Sequence, residues 1–222
     1  MNWRAGVFSL FAILPIKTET LHSISRMVYQ NETNCKKENL LIWNEKESFP
    51  SLGVGHSIWF PEEVNPGFQE TFPDLAVFLK QKLKSHKEIT LPAELTATPV
   101  GPAPWKTRED FLKSDKGELL NFLARPEIIQ WQTEFMIQRT QRALEQILKT
   151  VTQEKPHGAK KASEIRRLLQ RLTAQDEGVV ALVDYVNFKG DGLNPTEVTP
   201  SDNHAWGLKV VLEKMPQTQP DT

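Results

Sequence analysis

Glu32, Glu45 and Ser51 lead into the run Ser51-Leu52-Gly53-Val54-Gly55-His56, so that acids, a hydroxyl, two glycines and a histidine fall close together in the chain. Two carboxylates facing each other across a groove are the working parts of glycosidic bond cleavage. One gives a proton to the leaving oxygen, and the other handles the water or the cationic intermediate. Glu47, two positions beyond Glu45, could fill the second place equally well. Glycines in the strand, Gly53 and Gly55, would let a bulky polysaccharide lie close to the backbone. Read blandly, the same glycines mark a bulge or turn, and the acids are solvated charges.

Helical spacing supplies the element that would aim the first acid. Leu21, Ile24 and Val28 follow Thr18 or Thr20 as a cap, predicting a first helix over Thr20–Asn31. Glu32 lies four residues beyond Val28, on the same face at the helix end. An acid turned toward apolar neighbours is disfavoured as an anion, which suits a general acid near neutral pH. Between Leu40 and Phe60 the helical period is lost. The short runs Leu40–Trp43, Ser51–His56 and Ser57–Phe60 predict a small antiparallel sheet.

Helix returns at Thr71 with the stripe Phe72, Leu75, Phe78, Leu79 and Leu83. Leu91–Trp105 carries four prolines and no period, and reads as a long loop. Ser114 is expected to cap a short helix bearing Leu119, Leu120, Phe122 and Leu123. Pro126 opens the longest periodic segment, Glu127–Gln153, which Pro156 and Gly158 end. An amphipathic helix with Ile165, Leu168, Leu169 and Leu172 inward comes next. A helix over Gln175–Phe188, expected to be buried on most sides, and a last one capped by Asp202 or Asn203 complete the chain. There are no internal repeats.

With 222 residues the chain can bury a substantial core. Its formal net charge of -1 gives no bias toward nucleic acid or membrane. Locally the balance differs: residues 31–74 hold eight acids against three lysines, while residues 154–171 hold six basic side chains against two acids. The basic stretch is most simply the wet face of its helix, with contact to anionic wall polymers as the sharper alternative. A single cysteine, Cys35, excludes an internal disulfide. Five scattered histidines show no metal-binding spacing, so neither metal nor cofactor is expected. Arg4 followed by the apolar run Ala5–Ile16 has the flank and length of a signal-peptide core, or is a buried or unstructured leader; it is too short to span a membrane.

Two stretches together resemble the phage-type lysozymes and endolysins, glycoside hydrolase family 24, within the lysozyme-like superfamily. That family ends its first helix on a glutamate. A second acid follows, then, after five residues, a threonine that opens a T-x-G-x-G-H strand. Here Glu32 ends the first helix, five residues separate Glu45 from Ser51, and Ser51–His56 stands where the threonine-to-histidine run should be. Leu172-Thr173-Ala174-Gln175 followed by Ala181-Leu182-Val183-Asp184-Tyr185-Val186-Asn187-Phe188-Lys189-Gly190 resembles the family's LT-x-Q…ALV-x-F-x-x-N-x-G helix. The chain departs from the pattern in three ways: twelve residues lie between Glu32 and Glu45, glutamate replaces aspartate, and serine replaces threonine.

The resemblance implies an α+β, mostly helical lysozyme-like fold with a small N-terminal antiparallel sheet. Residues 1–19 would be a leader or signal peptide. Residues 20–222 would form one domain, with a β-lobe near 40–60 and a helical lobe near 71–215. By the same resemblance Glu32 is the general acid, Glu45 stabilises the oxocarbenium-like state or activates water, and Ser51 holds that water. His56 would brace the sheet against Glu32. The site would be completed by Glu47, Gly53, Gly55 and Trp59 on the substrate side; Trp43, Trp59 and Trp105 are candidates to stack on sugars, or else core residues. The expected partner is a polysaccharide, most simply peptidoglycan, met by a periplasmic or secreted monomer with no nucleic acid and no stable membrane insertion. Rival readings are a chitosanase-like hydrolase of a cationic polymer, a glycan-binding module with idle acids, and an amidase using Cys35 with His56.

Overall fold

The computed structural model describes residues 14, 18–64, 69–194 and 206–215. The leader expected at the N-terminus and the cap expected at Asp202 or Asn203 lie almost entirely outside these. Among the described residues the fold is mostly helical, with eight α-helices and one small three-stranded antiparallel sheet, as an α+β reading requires. No helix there is long and apolar enough to cross a membrane. The chain divides into two compact units: Leu21–Met136, and Met1–Thr20 with Ile137–Thr222. In the first of these the small sheet shares its unit with several helices.

In the first unit, α1 (Thr18–Thr33) buries Ile24 and Val28, four residues apart on one face. A 3-10 turn at Lys37–Leu40 leads into β1 (Leu41–Ile42), β2 (Ser51–Leu52) and β3 (Ser57–Ile58). Leu41 faces Leu52 and Ile42 faces Ser51, while Ser51 faces Ile58 and Leu52 faces Ser57. Strands of two residues offer few ladder bonds, so their flanks are held by other means. Ile58 and Phe60 donate their N–H groups to Thr71 Oγ1 (3.0 Å) and Glu70 Oε1 (2.7 Å), and Thr71 N–H donates to the Ile58 carbonyl (3.1 Å), covering the outer edge.

A chain of rings does the rest. Trp43 meets Phe111 at 5.8 Å, Phe111 meets Trp105 at 5.0 Å, Trp105 meets Trp59 at 5.9 Å, and Trp59 meets Phe72 at 4.6 Å between centroids. Mostly edge-on, these contacts suit the ring quadrupoles. They join the end of β1, β3, the proline-rich segment and two helices, α2 (Phe72–Leu83) and α3 (Arg108–Lys113). The proline-rich segment is ordered, not a free loop: it carries a 3-10 turn at Ala93–Leu95, and Ala103 pairs in parallel with Pro61.

Ser114 does not open a helix. It is the C-terminal cap of α3, whose start is a capping box between Thr107 and Asp110; α4 (Gly117–Leu123) begins separately, with the Asp115 carboxylate accepting from Gly117 N–H. α5 (Pro126–Gln153) follows, as the long apolar stripe predicts.

The second unit contains the later part of α5 with α6 (Gly158–Leu172), α7 (Asp176–Lys189) and α8 (Leu208–Lys214). α6 buries Ala162, Ile165, Leu168 and Leu169 and leaves Lys160, Arg166, Arg167 and Arg171 in water, the wet face its sequence implied. α7 is less enclosed than expected: Val179, Val180, Leu182, Val183 and Val186 are buried, but Ala181 and Phe188 are exposed. Gly207, in a left-handed conformation, packs so tightly on Gly192 that a Cβ would come within 2.3 Å of its backbone. Lys209 on α8 reaches Glu154 at 2.8 Å and Glu213 at 3.2 Å.

Trp59 is 1% exposed, and its indole N–H donates to the Gly101 carbonyl at 2.9 Å. Replacing it by alanine is expected to cost about 3–5 kcal/mol, read as a lowered urea midpoint.

Candidate functional site

Of the residues singled out in the sequence, Glu32 and His56 come together most directly. α1 ends in left-handed backbone at Asn34 and Cys35, which stops the helix one turn past Tyr29 and leaves Glu32 in its last turn. His56 closes the turn that follows β2, its N–H donating to the Gly53 carbonyl at 3.1 Å. Its own backbone is left-handed, with φ of 46°. Nδ1 then lies 3.7 Å from Glu32 Oε2, with the two side chains 18% and 13% exposed.

Asn39 holds both parts, a role nothing in its sequence context signalled. Its side-chain amide donates to the Thr33 carbonyl at 2.9 Å, satisfying an open acceptor at the end of α1. Its backbone carbonyl receives His56 Nε2–H at 3.1 Å. A carbonyl only accepts, so the Nε2 proton is fixed there, and a neutral ring turns the bare Nδ1 toward Glu32. Burial pushes the His56 pKa below its ordinary value; the bond to Asn39 and the charge of Glu47 pull the other way without cancelling it.

The two candidates for the second acid part company. Glu45 is 82% exposed and its carboxylate lies 3.8 Å from the Arg108 guanidinium, a contact of little energy in water. Glu47 is half-buried and its negative charge acts on His56. The loop that carries both is pinned: Trp43 indole N–H donates to the Glu47 carbonyl at 2.8 Å, Asn44 amide to the Glu47 carboxylate at 2.9 Å, and Arg108 Nε–H to the Trp43 carbonyl at 2.8 Å.

The remaining expectations fare differently. Ser51 is buried at the start of β2. Gly53 and Gly55 are buried too, and the space beside Gly53 is filled by the Gln132 side chain, so a polysaccharide does not approach the backbone there. Trp59, offered as a sugar platform, is enclosed on all sides, and Trp43 and Trp105 are each 6% exposed; all three are core residues. Cys35 is exposed, its thiol 2.9 Å from the Gln30 carbonyl oxygen of the side chain. An apolar hollow of about 440 Å³ in the second unit, edged by Tyr185, Trp206 and Lys214, holds no pair of acids. Among the described residues no group of three metal-ligand side chains occurs.

A histidine whose folded pKa is depressed binds fewer protons than it does unfolded, between that lowered value and its ordinary 6.5. His56 therefore contributes stability in full above pH 6.5, and the contribution is lost as pH falls through that window. Thermal unfolding followed from pH 7.5 down is expected to show this loss in the natural chain and a shallower slope in His56→Gln.

Comparison with protein-family models, with curated proteins and with solved structures finds no match to this chain.

Proposed function

We propose that the protein is a glycoside hydrolase of an N-acetylhexosamine polymer, with bacterial wall glycan as the first candidate. Glu32 acts as general acid and Glu47 as the second carboxylate. The observation that carries this reading is the position of His56, 3.7 Å from Glu32 and under the charge of Glu47. An acid on α1 and one in the loop after β1 thus both act on one histidine, the second at a shorter spacing from Ser51 than the phage-type lysozyme pattern gives. Glu47 is preferred over Glu45 because the latter reaches out to Arg108 and solvent.

As general acid, Glu32 must carry a proton when the sugar arrives. Glu32 sits in the last turn of α1, where the helix dipole is negative and a carboxylic acid is better tolerated than a carboxylate. In the reaction Glu32 passes that proton to the glycosidic oxygen as the C–O bond breaks. Glu47 stabilises the cationic sugar or takes a proton from the incoming water. A carboxyl separation of roughly 6.5–9.5 Å would give inversion, and roughly 5–5.5 Å retention.

The acid-rich stretch 31–74 also suits a cationic polymer, so both substrate classes enter the test. Purified peptidoglycan and chitosan are digested side by side and new reducing ends counted. Glu32→Gln and Glu47→Gln are each expected to lose about 10²–10⁴-fold in turnover, with Glu45→Gln within a few-fold of the natural chain. Release of peptides without sugar ends would instead indicate an amidase. Polymer binding without cleavage, unchanged in Glu32→Gln, would indicate a binding module.

A further inference from the structure

Gln132 is a long polar side chain, 1% exposed, on the buried side of α5. A buried amide is costly unless both its ends are bonded. Here they are. Oε1 accepts from Val54 N–H at 2.8 Å, and Nε2 donates to the Leu123 carbonyl, at the end of α4, at 2.9 Å. The amide passes so close to Gly53 that a Cβ there would lie 2.1 Å from Oε1, and Gly53 itself is left-handed with φ of 76°. Space and backbone conformation both demand glycine at that point.

The Val54 N–H belongs to the turn between β2 and β3. On one side of it Gly53 N–H donates to the Leu40 carbonyl at 2.7 Å; on the other Gly53 O accepts from His56 N–H at 3.1 Å. Two residues past Val54, His56 sets its ring against Asn39, Glu32 and the field of Glu47. The left-handed backbone of a non-glycine residue is sustained only where its surroundings over-determine it. Gln132 reaches the backbone of this turn from a helix distant in sequence, at Val54 N–H.

We infer that Gln132 is a positioning residue: its amide clamps the Gly53–His56 turn and thereby fixes the His56 ring against Glu32. The proposal deepens the hydrolase reading, on which only its consequence for turnover rests. The clamp itself is a matter of geometry and can be read without substrate.

The test uses the full chain and two variants. Gln132→Leu keeps the volume and removes both bonds. Leu79→Ala, on α2 and fully buried, lowers stability while leaving both Gln132 bonds in place. The readouts are the NMR titration of His56 and amide exchange of Val54, each compared with amides of α5. In Gln132→Leu the His56 midpoint is expected to rise toward its ordinary value, and Val54 exchange to quicken at least tenfold more than in Leu79→Ala. If His56 titrates as in the natural chain and Val54 keeps its protection, the clamp is overturned. Should Gln132→Leu fail to fold, the natural chain decides. Val54 protection equal to that of α5 supports the clamp, and exchange at the rate of open backbone sinks it. Turnover falling in Gln132→Leu, rescued in neither variant by longer substrate, ties the clamp to the reaction. A natural chain inactive on every glycan overturns the hydrolase reading and leaves the His56 and Val54 results standing.

Discussion

Strands two residues long cannot hold a sheet together by their ladder, and everything at the site depends on what holds it instead. The hydrogen bonds between β1, β2 and β3 fix register, but isolated short hairpins are marginal in water. Persistence comes from enclosure. Trp43, Phe111, Trp105, Trp59 and Phe72 form a continuous series of ring contacts, so that each short strand is backed by side chains far larger than its own. Indole N–H groups close loops on the way, Trp43 onto Glu47 and Trp59 onto Gly101. The tryptophans that looked suited to sugars are the reason the acids have a floor to stand on.

On that floor two polar residues impose direction. Asn39 fastens the end of α1 to the ring of His56, and Gln132 fastens the turn to α4 and α5. Neither bond is strong by itself; a net contribution of about 1 kcal/mol is usual. Their value lies in geometry, because each links elements distant in sequence. Thr33, next to Glu32, and His56 are twenty-three positions apart, yet Asn39 bonds one by its side chain and the other by its carbonyl.

The helices were readable because their apolar positions repeat. α2 and α5 begin and end within a residue or two of where the stripes, Thr71 and Pro126 place them. Short helices carry no period to read. Ser114 was mistaken for a start because α3 spans less than two turns, and its true signature, Thr107 with Asp110, is a capping box with aspartate where glutamate or glutamine is usual. The proline-rich segment hid its order because its contacts are to distant chain, at Pro61 and through the rings. The approach of His56 to Glu32 was expected from the lysozyme resemblance, and the two lie 3.7 Å apart. That Glu45 turns out toward Arg108 was not legible, because Arg108 is far away in sequence. Gln132 was invisible for a further reason: a lone glutamine on a helix looks solvated until the turn it serves is in view.

The break at the end of α1 leaves the chain's one thiol in the open, three residues beyond Glu32. A maleimide dye or nitroxide could be attached at Cys35 with no engineered cysteine and no competing attachment point. Such a reporter would sit beside the helix end and register any ligand that settles near Glu32 as quenching or slowed rotation, whether or not the ligand is chemically changed.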